Sequence, residues 1–288
     1  FIWKQKKDQD ILLRNSSNRE WKAESIIMKI DHTFAICAYK ESEFLEDCIQ
    51  SLKNQTVQTN IIMATSTPND FIKNMAAKYD IPLYVRDGKS DIRDDWNFAY
   101  NQAKTEWVTI AHQDDEYNEH YVEEMCKKLE GVKNPIAFVT DYIPIKNGQI
   151  GPRDINSKIR RFLRKPLKYN KLAGTRFWKR EILSLGNTIC CPSVTYYKKV
   201  LGDSFFTSEL KFNIDWDTFL KFSEIPGVFA YVEKPLTYYR VHDGATSKEF
   251  IVDHKRVADD TFMFQKFWPN WMVKIIMHFY KRAYDTYN

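Results

Sequence analysis

Two hydrophobic periods alternate along the first part of the chain. Thr33 to Tyr39 is a mostly apolar run of strand length. Ser42 follows as a helix cap, with Glu43 and Glu46 in the turn where a helix dipole favours negative charge. Phe44, Leu45, Cys48, Ile49 and Leu52 then recur at the spacing of one helix face. Asn60 to Thr65 predicts a second strand and Asn69 to Tyr79 a helix. Pro82 to Arg86 predicts a third strand, Ile92 to Ala103 a helix, and Glu106 to Ala111 a fourth strand. Strands alternating with helices of this length require right-handed crossovers, so the expected class is α/β with a mostly parallel sheet flanked by helices.

Beyond that point the pattern is more mixed. Ile136 to Tyr142 predicts a strand, and a basic stretch after it reads as loop and helix. Asn213 to Phe222 looks helical, and Phe229 to Val241 reads as two short strands broken at Pro235. The tail from Ile251 is aromatic and helical, with a break at Pro269. Residues 1–27 are polar and irregular, an extension with little core. The working domain is expected over 28–250, divided into 28–115 and 116–250, with 251–288 as a helical tail.

Composition narrows the function classes. There is no run of 18 apolar residues, so no spanning helix is expected, and no signal-peptide pattern opens the chain. Five cysteines, at 37, 48, 126, 190 and 191, form no Cys-x-x-Cys pair for a zinc ribbon or redox centre. A reducing cytoplasm is the simplest home. The net charge of +5 hides an asymmetry, because Lys158 to Arg180 holds ten Lys/Arg and no Asp/Glu. That run points to an anionic surface as partner, or else is a solvated loop; no nucleic-acid partner is expected. Aromatics at 15% suit first a Phe/Tyr-rich core, since most aromatic surface goes into packing, and second a sugar-handling surface.

Parallel sheets bind ligands at the carboxyl ends of their strands. Three segments fall there: Ala38-Tyr39-Lys40-Glu41, Thr65-Ser66-Thr67-Pro68-Asn69 and His112-Gln113-Asp114-Asp115. Adjacent carboxylates at a strand end are hard oxygen donors that suit Mg²⁺ or Mn²⁺, and such an ion can bridge a diphosphate. The competing reading is that Asp115 and Glu116 only start a helix.

These segments resemble the motifs of family 2 glycosyltransferases. Thr33 to Glu41, then Leu45 and Ser51-Leu52-Lys53-Asn54-Gln55-Thr56, look like that family's opening strand and helix. His112 to Asp115 stands where it carries its Asp-x-Asp-Asp metal motif. Asn213-Ile214-Asp215-Trp216-Asp217 is similar to its acidic-aromatic motif, and Tyr239-Arg240-Val241-His242 to its closing Tyr-Arg-x-His. The resemblance spans roughly residues 30–250. It departs at Lys40, usually Asn, at Thr65-Ser66-Thr67, often Asp-Asp-Gly, and at His112, usually Asp.

The resemblance implies a GT-A (Rossmann-like) fold, with 28–115 binding a nucleotide-sugar donor, a UDP-sugar foremost, and 116–250 binding the acceptor. Ala38, Tyr39, Glu41, Thr65 and Ser66 would line the nucleotide pocket. Asp95 and Asn97 would border it, unless that run is only a helix start. Asp114 would hold Mn²⁺ or Mg²⁺ with His112, beside Gln113, and His242 would contact the metal or the diphosphate. Asp215 would be the general base of an inverting transfer to a hydroxyl of a glycan or lipid-linked acceptor. A bacterial role in polysaccharide biosynthesis, at the inner face of the membrane, is the usual setting.

Two other functions compete. The altered motifs allow a non-catalytic relative that only binds nucleotide sugars. Ala111-His112-Gln113-Asp114-Asp115-Glu116 also resembles the motif of zinc-dependent sugar N-deacetylases, but its proline is missing. No His-x-x-His follows among the six histidines (32, 112, 120, 242, 254 and 278). Finally, Phe162, Leu163, Phe177 and Trp178 in the basic run suggest peripheral membrane contact, as do Trp268, Trp271, Ile275, Ile276 and Phe279 beside Lys274, Lys281 and Arg282. Packing of these aromatics on the body is the alternative.

Overall fold

The computed structural model describes residues 30–146, 149–151, 155–242 and 255–281. The expected extension over 1–27, its boundary at Met28, and Arg282 lie outside them. The first half follows the alternating pattern: β1 His32–Ala38, α1 Leu45–Lys53, β2 Asn60–Thr65, α2 Asp70–Lys78, β3 Leu83–Val85, α3 Ile92–Gln102 and β4 Trp107–His112. After these come β5 Glu116–Tyr117, α4 Tyr121–Glu130, β6 Pro135–Lys146, β7 Gln149–Ile150 and α5 Ile155–Arg164. Two short helices, α6 Asn170–Ala173 and α7 Arg176–Glu181, lead to β8 Val194–Tyr197 and α8 Lys198–Leu201. The last described elements are α9 Ile214–Ser223, β9 Val228–Val241, α10 Lys255–Gln265 and α11 Asn270–Tyr280.

Among the described residues all strands join one sheet in the order β3-β2-β1-β4-β8-β6-β9-β5, with β7 beside β6. β1 to β4 are parallel, whereas β8 runs antiparallel to both β4 and β6. The sheet is therefore mixed where the sequence pattern became irregular, and it runs unbroken between the two halves. Successive residues feed opposite faces, as the strand period requires. Ala35, Ile62, Ala64, Val108 and Ile110 pack in one core, and Phe34, Ile36, Met63, Trp107 and Ala111 in the other. Burial on both faces is why these strands read as continuous apolar runs.

Local chemistry sets the helix starts. Asn69 accepts the Ile72 N–H at 2.8 Å, and Asp91 accepts those of Arg93 and Asp94. Ser42 is not the cap of α1: the helix starts at Leu45, and the Ser42 hydroxyl accepts from the Phe44 N–H instead. The expected break at Pro235 is also corrected. β9 is one strand, and Pro235 sits opposite Asp141 where the register against β6 shifts. Pro235 thus sits at an irregularity of the ladder, the kind of place within a sheet where a missing proline N–H is tolerated.

The tail is not an appendage to the core. Met263, Phe264, Val273 and Met277 belong to the same apolar cluster as Trp216 and Phe219. Asp259 of α10 accepts the backbone N–H groups of Lys211, Phe212 and Asn213 at 2.9, 2.7 and 3.4 Å. It thereby fixes the segment that enters α9.

A buried ion pair ties α5 to the sheet. Arg164 and Asp141 are each 1% exposed and bonded to one another, and Arg164 also donates to the Thr188 carbonyl. Its guanidinium lies 5.4 Å from the centre of the Tyr142 ring. Removing one partner strands a buried charge, which typically costs about 3–5 kcal/mol. Asp141→Ala should therefore lower the unfolding free energy measured by urea denaturation by about that amount. A change under about 1 kcal/mol would remove this pair from the account of how α5 is held.

Candidate active site

Parallel register brings the predicted loops to one level. Ala38 lies opposite Thr65 across β1 and β2, and Cys37 opposite His112 across β1 and β4. A cleft of about 920 Å³ opens there. Ala38, Tyr39, Glu41, Thr65, Asp95, His112, Gln113, Asp114, Asp215 and His242 all line it. Ser66 and Asn97 do not. Ser66 lies behind the lining and donates to Asp95 Oδ2 at 2.9 Å. Asn97 points away because it is two residues beyond Asp95 on a helix, about 200° round. Its amide exchanges both hydrogen bonds with the Phe206 backbone, at 2.8 and 3.1 Å.

The two front loops are held to each other. The Gln113 amide donates to the Tyr39 carbonyl at 3.0 Å and accepts the Tyr39 N–H at 2.9 Å. The Lys40 N–H donates to Thr67 Oγ1 at 2.7 Å. Lys40 has φ of 53°, a left-handed conformation that Asn tolerates better than Lys. This gives a backbone reason for the Asn usual at that position. Asp95 is saturated by Arg86 Nε at 2.7 Å and by the hydroxyls of Ser66 and Ser90.

β4 ends in a tight turn that gathers the candidate metal donors. One donor atom each of His112, Asp114 and Asp115 lies within 4.8 Å of the others. Asp114 Oδ2 is 3.1 Å from His242 Nε2. Asp115 is 1% exposed; its Oδ1 accepts the Arg240 N–H at 2.9 Å. Its Oδ2 and His112 Nε2 are buried without a hydrogen-bond partner. Two orphaned polar atoms in a polar turn are costly unless something binds there. The donor set, carboxylate oxygens with a neutral imidazole, fits Mn²⁺ or Mg²⁺.

Electrostatics separate the two aspartates. Burial, followed by the negative Asp114 beside it, drives the Asp115 carboxyl well above its ordinary range. Burial acts on Asp114 too, but the hydrogen bond with His242 and the adjoining imidazoles outweigh it and hold its carboxyl low. Burial also lowers His112, keeping its imidazole neutral, as a ligand must be.

Several contributors had no role assigned from sequence. Trp96 stacks on His112 at 5.3 Å and 19° and holds its ring. Arg240 binds the acidic turn from behind: its Nε donates to the Asp114 carbonyl at 2.9 Å, and its guanidinium pairs with Glu116 and packs 4.4 Å over Phe44. The sequence shows Arg240 within a motif but gives no sign of these partners, which come from remote segments.

Asp215 enters the cleft from the first turn of α9. Its Oδ1 accepts the Trp216 N–H at 2.8 Å, and its Oδ2 accepts from Asn187 Nδ2 at 2.7 Å. Gly186, at φ +128°, lets the chain turn into Asn187 beneath the Tyr280 ring. Burial pushes the Asp215 carboxyl up to about 6, against the pull of those bonds. Asp217 lies on another face. It is 5% exposed and pairs with Lys266 at 2.5 Å and Lys221 at 2.8 Å, so it is neutralised outside the cleft.

A parallel nucleotide-type sheet with an acidic turn after β4, continued by a mixed half, is the architecture of GT-A glycosyltransferases. The chain belongs to glycosyl transferase family 2, whose sequence profile it matches over residues 33–184. It is accordingly a glycosyltransferase. That membership overturns the zinc deacetylase reading of the His112 to Glu116 segment. No curated protein matches the sequence. Among solved structures, residues 1–349 of S. aureus TarS in complex with UDP-GlcNAc share 14% identity. The TM-score is 0.57, with 86% of this chain and 70% of that one covered. The mannosyltransferase PcManGT of Pyrobaculum calidifontis, in complex with GDP-Man and Mn²⁺, shares 12% identity at a TM-score of 0.51, covering 94% and 76%. At these identities the likeness concerns the fold.

Proposed function

We propose that the chain transfers a sugar from a nucleoside diphosphate donor, foremost a UDP-sugar, to a hydroxyl of a glycan or lipid-linked acceptor, with inversion and with a divalent metal. The observation that carries this reading is that the Asp114–His242–His112 cluster and Asp215 line one cleft. Asp114 and His112 would hold Mn²⁺ or Mg²⁺, which supplies charge neutralisation for the diphosphate. Tyr39, Ala38 and Thr65 sit where a nucleoside would lie along the strand ends, as ligands do in such sheets. TarS with UDP-GlcNAc and PcManGT with GDP-Man and Mn²⁺ support this assignment by fold.

Asp215 takes the proton from the acceptor hydroxyl as that oxygen attacks the anomeric carbon. The bond from that carbon to the diphosphate breaks on the opposite side, and its electron pair leaves with the nucleoside diphosphate. A single displacement inverts the carbon. A base serves best when its pKa lies near the working pH, and partial desolvation of Asp215 moves it that way. Peripheral attachment to an anionic membrane from the cytoplasmic side belongs to the same reading. Among the described residues no helix is long and apolar enough to cross a membrane.

The test is a panel of nucleoside diphosphates and nucleotide sugars with Mn²⁺, read as thermal shift. A ligand at a hundredfold its Kd stabilises by about 2.7 kcal/mol, and a UDP-sugar should raise the melting temperature only when metal is present. A rise with no member of the panel overturns the donor assignment. Donor binding without turnover over any glycan or lipid-linked acceptor would favour the non-catalytic alternative.

A further inference from the structure

Two helices that border the cleft carry exposed apolar stripes. On α5, Ile155, Ile159 and Phe162 recur at one helix face and are 74%, 51% and 64% exposed. On α11, Trp271, Ile275 and Phe279 do the same at 64%, 52% and 59%. Each helix also reaches the cleft, α5 through Arg160 and α11 through Tyr280. Single exposed hydrophobics need no explanation, but ordered stripes on two neighbours of one cleft do.

Charge selects the occupant. Neither 155–168 nor 266–281 contains an Asp or Glu. Lys158 and Lys165 are exposed beside the α5 stripe, with Lys165 Nζ 4.8 Å from the Phe162 ring centre. Lys274 and His278 share the exposed face of α11. A second copy docked through these faces would bring like charges together, whereas an anionic bilayer complements them. The structure also trims the sequence expectation. Arg161 and Lys168 are already paired with Glu233, Arg176 with Glu224, and Trp268 and Ile276 pack against the core. The docking surface is thus the two stripes with their lysines rather than the whole basic run.

We propose that α5 and α11 dock the rim of the cleft onto an anionic lipid bilayer through their Ile155–Ile159–Phe162 and Trp271–Ile275–Phe279 stripes, so that the site faces a lipid-linked acceptor. The acceptor class rests on the transferase reading above; the docking rests on the surface alone.

The experiment is co-sedimentation of the full chain with vesicles of equimolar phosphatidylglycerol and phosphatidylcholine, at low and high salt. The wild type should pellet at low salt, and pelleting should fall as salt screens the lysines. Ile159→Glu with Ile275→Glu should weaken partition by at least about tenfold. Both sites are exposed, so unchanged melting should accompany that loss. Brominated lipid should quench tryptophan fluorescence in the wild type and lose most of that effect in Trp271→Phe. No pelleting at low salt, or pelleting indifferent to the two glutamates, overturns the proposal. So does self-association of the wild type that the glutamates abolish. Mn²⁺-dependent UDP binding by calorimetry is measured on the same samples. Its absence would sink the donor reading and leave the vesicle result standing, and its presence without vesicle binding would do the reverse.

Discussion

Asp215→Asn should lose transfer by about 10² to 10⁴ while donor binding survives, because a general base acts on the acceptor proton and not on the nucleotide. Asp217→Asn should retain most activity, since its carboxylate is spent on Lys221 and Lys266 outside the cleft. Single-turnover transfer and calorimetric donor binding, measured on both variants, separate the two. Activity lost at Asp217 and kept at Asp215 would move the base. The wild-type rate should rise with pH through about 6, as the Asp215 carboxyl ionises. Stability should run the other way. A carboxyl whose folded pKa is raised above its unfolded value near 3.9 holds its proton longer in the native state, so this group's contribution falls as pH rises from about 4 to about 6. Asp215→Asn removes that cost. Allowing for solvent at this half-buried group and a poorer match to Asn187, the variant should gain about 1 kcal/mol at pH 7.5, a rise of about 2–4 °C. The gain should vanish near pH 4. An inactive variant that is also more stable is the pattern of a site held at the expense of stability. A loss of stability at pH 7.5 would contradict the desolvated setting of Asp215.

Asp114→Ala should weaken metal-dependent UDP binding by at least about a hundredfold, with folding intact. Asp114 supplies carboxylate oxygen to the cluster and lines the cleft, partly exposed, so its loss opens no core cavity. His242→Ala removes the hydrogen bond to Asp114 and should cost about 10- to 100-fold in metal affinity, the usual effect of losing an orienting partner. Titration calorimetry with UDP at fixed Mn²⁺, repeated after chelation, reads both. Equal UDP affinity in Asp114→Ala and wild type would dismiss the acidic turn as the metal site. A melting temperature raised in Asp114→Ala would be consistent with relief of the neighbouring carboxyl Asp115.

How much of this was legible beforehand follows the range of the interactions involved. The β1 to β4 half reads directly from the chain because its strands and helices are local periods, and parallel order forces their carboxyl ends to one edge. The mixed half resisted because its strands are paired by partners far away in sequence: β8 is set antiparallel between β4 and β6 by no local signal. Pro235 shows the same limit. Its ring announces a missing donor, but only the register against Asp141 reveals that it falls where the ladder shifts and the strand continues.

The site divides along the same line. The sequence alone determined which residue types could do the chemistry and that the segments at Ala38, Thr65 and His112 would lie at strand ends on one sheet edge, since strand length is local and the crossovers fix the parallel sense. Asp215 and Asp217 face different ways because the helical repeat turns two residues through about 200°. The resemblance named Asp215 as the base; the tertiary structure supplied the physical cause, Asn187 holding Asp215 in the cleft and Lys266, just after α10, holding Asp217 outside it, both remote in sequence. The tertiary structure alone turned Asn97 onto the Phe206 backbone, placed Arg240 behind the acidic turn, and split the Asp114 and Asp115 protonation behaviour through burial and His242. The physical reason is common to all of these: hydrogen-bond partners and desolvation are set by what the folded chain packs against a group, and neighbours along the chain carry no record of it.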